Sequence, residues 1–197
     1  MNDIGISIKK FSASTMPKKD SSYITSQLEL PFLETSPDLL EEIFHTLRDK
    51  FGLYKNSNQK LIDLGAGNGT VIIYSALNYN IESFGIEINP NLIDETKKRI
   101  RILKVKHNHK RRTLKNIKLE LGDFYQKNLK KFDFIYIYSL PTMQKYLKHV
   151  FFTTKKGAII ISHKYPLNGL NSYLKLDYEL IQKKGNKEFT TYFYSRL

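Results

Sequence analysis

Apolar side chains recur at intervals of three and four between positions 37 and 51, the spacing of one buried face of an α-helix. These positions are Leu39, Leu40, Ile43, Phe44, Leu47 and Phe51. Thr35 or Ser36 precedes them as a candidate N-cap, and Pro37 suits the first turn of a helix. The pattern predicts an amphipathic helix at this point of the chain.

Short apolar runs alternate with segments of helical spacing beyond residue 59. The predicted strands cover 60–64, 83–87, 117–121, 132–138 and 158–162. The predicted helices cover about 70–77, a long segment that begins at Asn89-Pro90, and about 142–150. The long helix carries Leu92, Thr96, Ile100 and Leu103 on one face. Strands that alternate with helices predict a parallel sheet with both faces covered.

The end of the chain has a different pattern. Segments 173–182 and 188–194 have the composition of strands, and Lys183-Lys184-Gly185-Asn186 lies between them as a turn. This pattern predicts a β-hairpin. The predicted fold is therefore an α/β domain, a Rossmann-like doubly wound sheet of seven strands that ends in an antiparallel hairpin.

Length and composition limit the class of protein. The chain has 197 residues, no cysteine and a formal net charge of +13 at pH 7. The length predicts a single domain over residues 21–197, after a polar leader over 1–20 that is expected to be flexible. The absence of cysteine excludes a disulfide framework and a thiolate site, which fits an intracellular, cytoplasmic protein. The apolar runs are too short to cross a bilayer, so no membrane insertion is expected.

The positive charge has two interpretations. It favours an anionic partner such as nucleic acid, or it reflects a composition rich in Lys, Asn and Ile. The run from Lys104 to Lys118 has seven basic residues, the histidines His107 and His109, and no acid. It is expected either to contact nucleic acid or to form a solvated loop. Two histidines without neighbouring carboxylates or cysteines do not predict a metal site.

A glycine-rich turn follows the first predicted strand. The sequence Gly65-Ala66-Gly67-Asn68-Gly69 leads from that strand into a helix, an arrangement that lets the backbone approach a nucleotide-like cofactor. Glu87 ends the next strand, where a carboxylate accepts hydrogen bonds from ribose hydroxyls. The dinucleotide fingerprint needs glycine at position 70, where this chain has Thr70. NAD is therefore disfavoured, and Asp63 just before the loop would attract an ammonium or sulfonium group.

These residues together resemble the cofactor signature of class I S-adenosylmethionine-dependent methyltransferases. The resemblance is carried by Asp63-Leu64-Gly65-Ala66-Gly67-Asn68-Gly69, by Glu87 and by Gly122-Asp123-Phe124. It implies that the glycine loop holds the methionine moiety, Glu87 the ribose and Asp123 the adenine amino group, with no metal required. The implied cofactor contacts are Thr35, Asp63, Gly65, Ala66, Gly67, Asn68, Glu87, Ile88, Asp123, Phe124 and Tyr138. The simpler alternatives are a tight turn, a surface acid at Glu87 and a helix cap at Asp123.

Three further segments resemble the archaeal protein-lysine methyltransferases and their mitochondrial relatives, which act on adenine nucleotide translocase and the ATP synthase c subunit. These segments are Leu30-Pro31-Phe32-Leu33-Glu34-Thr35, Tyr136-Ile137-Tyr138-Ser139-Leu140-Pro141 and Ile159-Ile160-Ile161-Ser162-His163. The resemblance implies an N-terminal helix that covers the pocket and a protein substrate bearing lysine. By position, the resemblance implies roles for Thr35 in the entry segment and for Tyr138, Ser139, Leu140 and His163 on the acceptor side. The chain departs from the family pattern at Glu34, Ser36 and Leu170.

A lysine acceptor must lose a proton before it attacks a methyl group, because its unperturbed pKa is about 10.4. Tyr138 is a candidate to orient the amine, Glu34 to attract the incoming ammonium and His163 to act as a base. Each has a structural alternative: core packing for Tyr138, solvation for Glu34 and a buried hydrogen bond for His163.

Two other functions fit the same fold. An RNA or rRNA methyltransferase is favoured by the net charge, but the loop Tyr138-Ser139-Leu140-Pro141 differs from the Asn/Asp-Pro-Pro-Tyr/Phe loop of many nucleic-acid amino methyltransferases. The other is a nucleic-acid-binding module without catalysis, which would not need the complete cofactor signature. The sequence favours transfer of a methyl group to lysine in protein.

Overall fold

Residues 35–106 and 112–197 are described by the computed structural model of the protein, and they lie within one compact unit. The predictions for the leader 1–20, for Glu34 and for the centre of the basic run fall outside these residues. The helices are α1 (Pro37–Phe51), α2 (Thr70–Tyr79), α3 (Pro90–Lys106), α4 (Pro141–Gln144) and α5 (Lys148–Phe151). The strands are β1 (Lys60–Leu64), β2 (Glu82–Glu87), β3 (Ile117–Leu121), β4 (Phe134–Ile137), β5 (Ile159–His163), β6 (Leu174–Lys184) and β7 (Lys187–Arg196).

All seven strands form one sheet in the order β3-β2-β1-β4-β5-β7-β6. Neighbouring strands from β3 to β5 are parallel, and β7 pairs antiparallel with both β5 and β6. The strand order reverses between β1 and β4, so the carboxyl ends of these strands border the crevice where α/β sheets bind ligands. The predicted fold, including the antiparallel hairpin, is confirmed.

Helix α1 forms where the apolar spacing predicts it. Its buried face includes Leu40, Ile43, Phe44 and Leu47, and it ends at Gly52, whose φ of 67° suits glycine. Ser36 occupies the N-cap position without a side-chain hydrogen bond to the helix. The first turn is therefore set by Pro37 and by burial of the apolar face rather than by a side-chain cap.

The main core lies on one face of the sheet. Side chains from the central strands pack there against α1 and α2, and they include Leu61, Phe134, Tyr136, Ile161 and Phe193. Asp63 is two residues beyond Leu61 and pairs in register with Tyr136, so this carboxylate projects from the apolar face. The sheet thus places a buried acid on the face that carries the apolar core.

Two predicted elements differ in the structure. The helix expected over 142–150 is divided into α4 and α5, because the amides of Tyr146 and Leu147 bond to carbonyls three residues back, those of Met143 and Gln144. Strand β4 is shorter than 132–138, and at its start the Phe132 amide donates to the Leu129 carbonyl at 3.0 Å in a turn rather than to a neighbouring strand.

The hairpin is longer than predicted, because Lys183 and Lys184 continue β6 and only Gly185-Asn186 forms the turn. No helix in the described part of the chain combines the length and the apolar character needed to cross a membrane.

Candidate functional site

The glycine loop is fixed against the end of β2. The amides of Gly65 and Ala66 both donate to the carbonyl oxygen of Ile86 at 3.0 Å. Gly65, Gly67 and Gly69 all have positive φ, at 89°, 52° and 77°, where a side chain would be strained. Gly65 is the exposed member of the loop, so its backbone is open to a ligand at the carboxyl edge of the sheet.

Helix α3 holds this loop from the other side. The Thr96 hydroxyl is buried and donates to the Gly67 carbonyl at 2.9 Å, while the Arg99 guanidinium donates to Thr70 Oγ1 at 2.7 Å. A Cβ at Gly69 would lie 2.4 Å from Thr96 Cγ2. The sequence analysis did not assign Thr96 or Arg99 to the site, although a threonine on an otherwise apolar helix face was the available signal.

Glu87 is joined to the glycine loop. Its buried carboxylate accepts from Gly67 N–H at 2.8 Å through Oε2, and from the amides of Ile88 and Asn89 at 2.9 Å each through Oε1. Three backbone amides therefore orient the carboxylate. The structure brings together three predicted cofactor contacts, Gly67, Glu87 and Ile88, and the surface-acid alternative does not fit a buried Glu87.

Asp63 is buried and its carboxylate has no ion pair within residues 35–106 and 112–197. Burial raises the pKa of this carboxyl well above its usual range, and the charge of Glu87 raises it further. A cationic ligand beside Asp63 would offset both effects. The site therefore fits a ligand with an ammonium or sulfonium group.

Phe124 and Asp123 lie beside the loop in different roles. The Phe124 ring is buried, and its Cε1 lies 3.7 Å from the position that a Gly65 Cβ would occupy. Asp123 Oδ1 accepts from the amide of Tyr125 at 2.9 Å and caps the short 3₁₀ turn Phe124–Gln126. Asp123 therefore does act as a cap, and within the described part of the chain its Oδ2 has one contact, at 3.4 Å with Gln126 Nε2.

Thr35 is hydrogen-bonded to a tyrosine of β4. Its hydroxyl lies 2.7 Å from the Tyr136 hydroxyl in a buried hydrogen bond. Burial raises the pKa of the Tyr136 phenol well above its usual value. Because Tyr136 pairs in register with Asp63, the start of α1 borders the same region of the sheet as the buried carboxylate.

An aromatic cluster follows the carboxyl ends of β4 and β5. The Tyr138 ring meets His163 edge-on at a centroid distance of 5.0 Å and Tyr165 at 6.4 Å. His163 is also stacked with Phe189 at 6.0 Å and with Tyr136 at 6.4 Å. We refer to Tyr138, His163, Tyr165 and Phe189 as the aromatic cluster. The sequence analysis missed Tyr165 and Phe189, because the fold rather than a motif brings them there.

His163 is neutral in this environment. Burial, together with the charge of Lys164, lowers the pKa of its imidazole to about 4. Its Nδ1 is 2.8 Å from the hydroxyl of Thr191, the residue opposite it on β7. The buried hydrogen bond expected as the structural alternative is present.

Ser139 and Leu140 lie between Tyr138 and α4. Ser139 is buried, and its Oγ finds no hydrogen-bond partner in the described part of the chain. Leu140 is partly buried at the N-cap position of α4. Both residues therefore belong to the loop that leaves β4, adjoining the aromatic cluster.

Lys164 follows His163 with a φ of 71°, unusual for a residue with a side chain. Its ammonium is exposed and lies 5.3 Å from the centroid of the Tyr165 ring. The pKa of Lys164 is raised, chiefly by its charge interaction with Tyr138 and next by a hydrogen bond to Tyr165. The Lys164 ammonium therefore lies at the exposed edge of the aromatic cluster, beside Tyr165.

The basic run is described only at its two ends. Lys118 is 3.0 Å from Glu82 and 5.0 Å from the centroid of Phe84, so its charge has partners within the domain. Lys104, Lys106, Arg112 and Lys115 lie on either side of residues 107–111, which fall outside the described part. Whether the run contacts nucleic acid stays a prediction.

Residues 63–173, which span the glycine loop, Glu87, Asp123 and His163, match the sequence model of the ANTKMT methyltransferase domain. The chain belongs to the ANTKMT methyltransferase domain family. This match confirms the assignment to class I S-adenosylmethionine-dependent methyltransferases. It also confirms the resemblance to the adenine nucleotide translocase methyltransferases as a family relationship.

One curated relative matches this methyltransferase domain over a longer part of the chain than the family model does. An uncharacterized protein of Methanocaldococcus jannaschii is 28% identical over 147 residues, which cover 71% of this chain and 37% of that protein. The chain thus spans little more than a third of the length of this relative.

Solved structures share the fold of the methyltransferase domain. An RNA methyltransferase from Salinibacter ruber, in complex with S-adenosyl-L-homocysteine, has a TM-score of 0.65 and 18% identity, covering 83% of this chain and 94% of that chain. TrmN from Thermus thermophilus has a TM-score of 0.60 and 12% identity, covering 83% and 49%. A precorrin-6y C5,15-methyltransferase from Geobacter metallireducens has a TM-score of 0.53 and 18% identity, covering 85% and 91%. At sequence identities of 12–18%, these comparisons show that the proteins share a fold with this chain.

Proposed function

We propose that this chain transfers a methyl group from S-adenosylmethionine to the ε-amino group of lysine in a protein substrate. Membership of the ANTKMT methyltransferase domain family supports the reaction type. The observation that supports the substrate class is the aromatic cluster, at whose edge the ammonium of Lys164 lies 5.3 Å from the centroid of the Tyr165 ring.

The cofactor would occupy the edge of the sheet formed by the ends of β1, β2 and β4. Asp63 would accept the ammonium of the methionine moiety, while Gly65 and Gly67 allow its close approach to the backbone. Glu87, already oriented by three amides, would accept from the ribose hydroxyls. Bound there, the sulfonium supplies an electrophilic methyl group.

The remaining proposed cofactor contacts surround this position. Phe124 would pack beside the adenine, and Asp123 Oδ2 would accept from the adenine amino group, since Oδ1 is used by the cap. The contacts proposed from the loop, the entry segment and the acceptor side are Thr35, Ala66, Asn68, Ile88 and Tyr138.

The acceptor lysine would enter through the aromatic cluster. We expect the faces of Tyr138 and Tyr165 to attract a cationic side chain, and the neighbouring Ser139 and His163 are buried. Such surroundings favour the neutral amine, which is the nucleophile, over the ammonium. Glu34 is proposed to attract the incoming ammonium from the entry segment, and Leu140 to line the acceptor path.

Methyl transfer from labelled S-adenosylmethionine into a lysate would test this proposal. The reaction is divided into protease-treated and nuclease-treated portions, and the labelled product is identified by mass spectrometry. We expect label that survives nuclease, disappears with protease and lies on lysine. Asp63→Asn should abolish labelling, whereas Asp177→Asn, which changes an acid on β6 that pairs with Lys175 at 2.9 Å, should retain it.

Label that disappears with nuclease would instead make the chain an RNA methyltransferase. The basic residues at the ends of the run from Lys104 to Lys118 would then become the first candidates for RNA contacts. Purified chain that binds no S-adenosylmethionine would contradict both enzymatic functions and favour a module without catalysis.

A further inference from the structure

A chain of buried hydrogen bonds leads from α1 to the imidazole of His163. Gln182 Nε2 donates to the Leu39 carbonyl at 3.0 Å, and Thr191 Oγ1 donates to Gln182 Oε1 at 3.3 Å. His163 Nδ1 is 2.8 Å from the same Thr191 hydroxyl. Gln182, Thr191 and His163 are each at most 1% exposed, so these groups bond to one another rather than to water.

The direction of the hydrogen bonds along this chain follows from the Leu39 carbonyl at its start. The Leu39 carbonyl can only accept, so the amide nitrogen of Gln182 faces it and the amide oxygen faces Thr191. We assign the one hydroxyl proton of Thr191 to that oxygen, because no other group in the described part of the chain donates to it. Its own oxygen is left to accept, which requires His163 Nδ1 to carry a proton.

A neutral imidazole carries one proton, so Nε2 of His163 has a free lone pair. Within residues 35–106 and 112–197 no group is hydrogen-bonded to Nε2. The ring is held between Tyr136 and Phe189, with Tyr138 edge-on, so its orientation is restricted by packing as well as by Thr191.

We propose that Gln182 and Thr191 are positioning residues that hold His163 as the Nδ1–H tautomer, so that Nε2 accepts a hydrogen bond from the acceptor amine. This inference rests on the proposed function, because it assumes an amine in the aromatic cluster. None of these roles is evident from a motif, since the three residues lie on β5, β6 and β7.

His163 acts here by orienting the amine rather than by removing its proton. With an imidazole pKa of about 4, proton transfer from an ordinary lysine ammonium would be unfavourable by roughly a millionfold. Nε2 instead accepts from one N–H of the neutral amine and turns the nitrogen lone pair toward the methyl carbon. The lone pair forms the new N–C bond, the S–C electron pair passes to sulfur, and the methylated ammonium releases its proton to water.

The tautomer is measurable without turnover. In protein labelled with ¹⁵N-histidine, long-range ¹H–¹⁵N correlation spectra distinguish protonated from unprotonated ring nitrogens. The chain has five histidines, and the signals of His163 are those lost in His163→Gln. We expect Nδ1 protonated and Nε2 unprotonated in the unaltered protein. A wild-type spectrum with a proton on Nε2 would overturn the proposal.

Thr191→Val removes the hydroxyl with little change of shape, and Thr191→Ser is its matched control. We expect Val to increase the Nε2–H form and to lower kcat for lysine methylation about tenfold, the size of one neutral hydrogen bond. Affinity for S-adenosylmethionine should not change. Ser should restore both the tautomer and kcat. A changed tautomer with unchanged kcat would overturn the positioning role.

Gln182→Met provides a second route, because it removes the acceptor for Thr191 while leaving His163 and Thr191 in place. We expect the same change of tautomer and a smaller loss of kcat. Should Thr191→Val unfold, as thermal melting would show, Gln182→Met decides the result. Wild-type protein with the expected tautomer but no transfer to lysine would refute the proposed function and, with it, the role of Nε2 toward an amine.

Discussion

Asp63 and Glu87 project from the same face of two neighbouring parallel strands, and the charge of Glu87 adds to the burial that raises the pKa of Asp63. Their environments differ, because Glu87 has three amide donors whereas burial without a cation leaves Asp63 electrostatically unbalanced. One carboxylate is therefore stabilised by the protein itself and the other is available to a positive ligand.

Asp63→Asn should stabilise the ligand-free protein at neutral pH. A carboxyl whose pKa is raised on folding binds its proton more tightly in the folded state, so stability falls as pH rises from about 3.9 through the raised pKa. Asparagine removes this penalty, so the gain in stability should grow as the pH rises through the raised pKa. Denaturant unfolding at several pH values measures it, and a gain that does not grow with pH would contradict the assignment.

Binding of S-adenosylmethionine should release a proton from Asp63. A cation beside the carboxylate lowers its pKa, so the proton held by the ligand-free site is displaced. Titration calorimetry in buffers of different ionisation enthalpy would measure a release of up to about one proton per site, since one carboxyl is involved. Asp63→Asn serves as the control and should show none, with weakened binding.

Glu87→Ala should weaken binding of the cofactor by about 1.5–3 kcal/mol, the scale of hydrogen bonds to a charged group. It also leaves the amides of Gly67, Ile88 and Asn89 without their acceptor, so the free energy of unfolding should fall by a further ~1–3 kcal/mol. Calorimetry and denaturant unfolding separate the two effects. Unchanged affinity in a folded variant would refute the ribose role.

The stability of the protein should also depend on His163. Its pKa falls from 6.5 to about 4 on folding, so the unfolded chain binds more protons between these values. The contribution of the neutral imidazole is fully present above pH 6.5 and lost as pH falls toward 4, about 3 kcal/mol in all. His163→Gln should remove this part of the pH dependence, which urea unfolding from pH 4 to 7 can check.

The sheet and the glycine loop could be predicted because each follows from local sequence. Buried parallel strands are short apolar runs, and the loop at Gly65 needs glycines wherever the backbone takes positive φ. The division between α4 and α5 could not be predicted. In the folded protein the amides of Tyr146 and Leu147 bond to carbonyls three residues back, in place of the α-helical hydrogen bonds to carbonyls four residues back. Periodicity alone does not distinguish a continuous helix from two short ones.

The cofactor side of the candidate site was predictable and the acceptor side was less so. Asp63 and Glu87 lie at strand ends next to the loop, so the order of elements is enough to bring them together. Thr191 and Phe189 reach His163 only because β7 lies between β5 and β6, and Gln182 joins them by its hydrogen bond with Thr191. That pairing depends on long-range register, which no spacing within one segment specifies.

Gly69→Ala should destabilise the protein through contact with Thr96 as well as through backbone strain. The new Cβ would lie 2.4 Å from Thr96 Cγ2, and φ at this position is 77°. We expect a loss of about 2–4 kcal/mol, the sum of overpacking and a left-handed residue. Gly157→Ala is the matched control, because its φ is 74° and nothing lies within 4 Å of the new Cβ.

Thr96→Ser in the Gly69→Ala background removes Cγ2 but keeps the hydroxyl that donates to the Gly67 carbonyl, so it should recover the steric part of the loss. Equal losses at positions 69 and 157, measured by denaturant unfolding, would show that Thr96 does not constrain the loop.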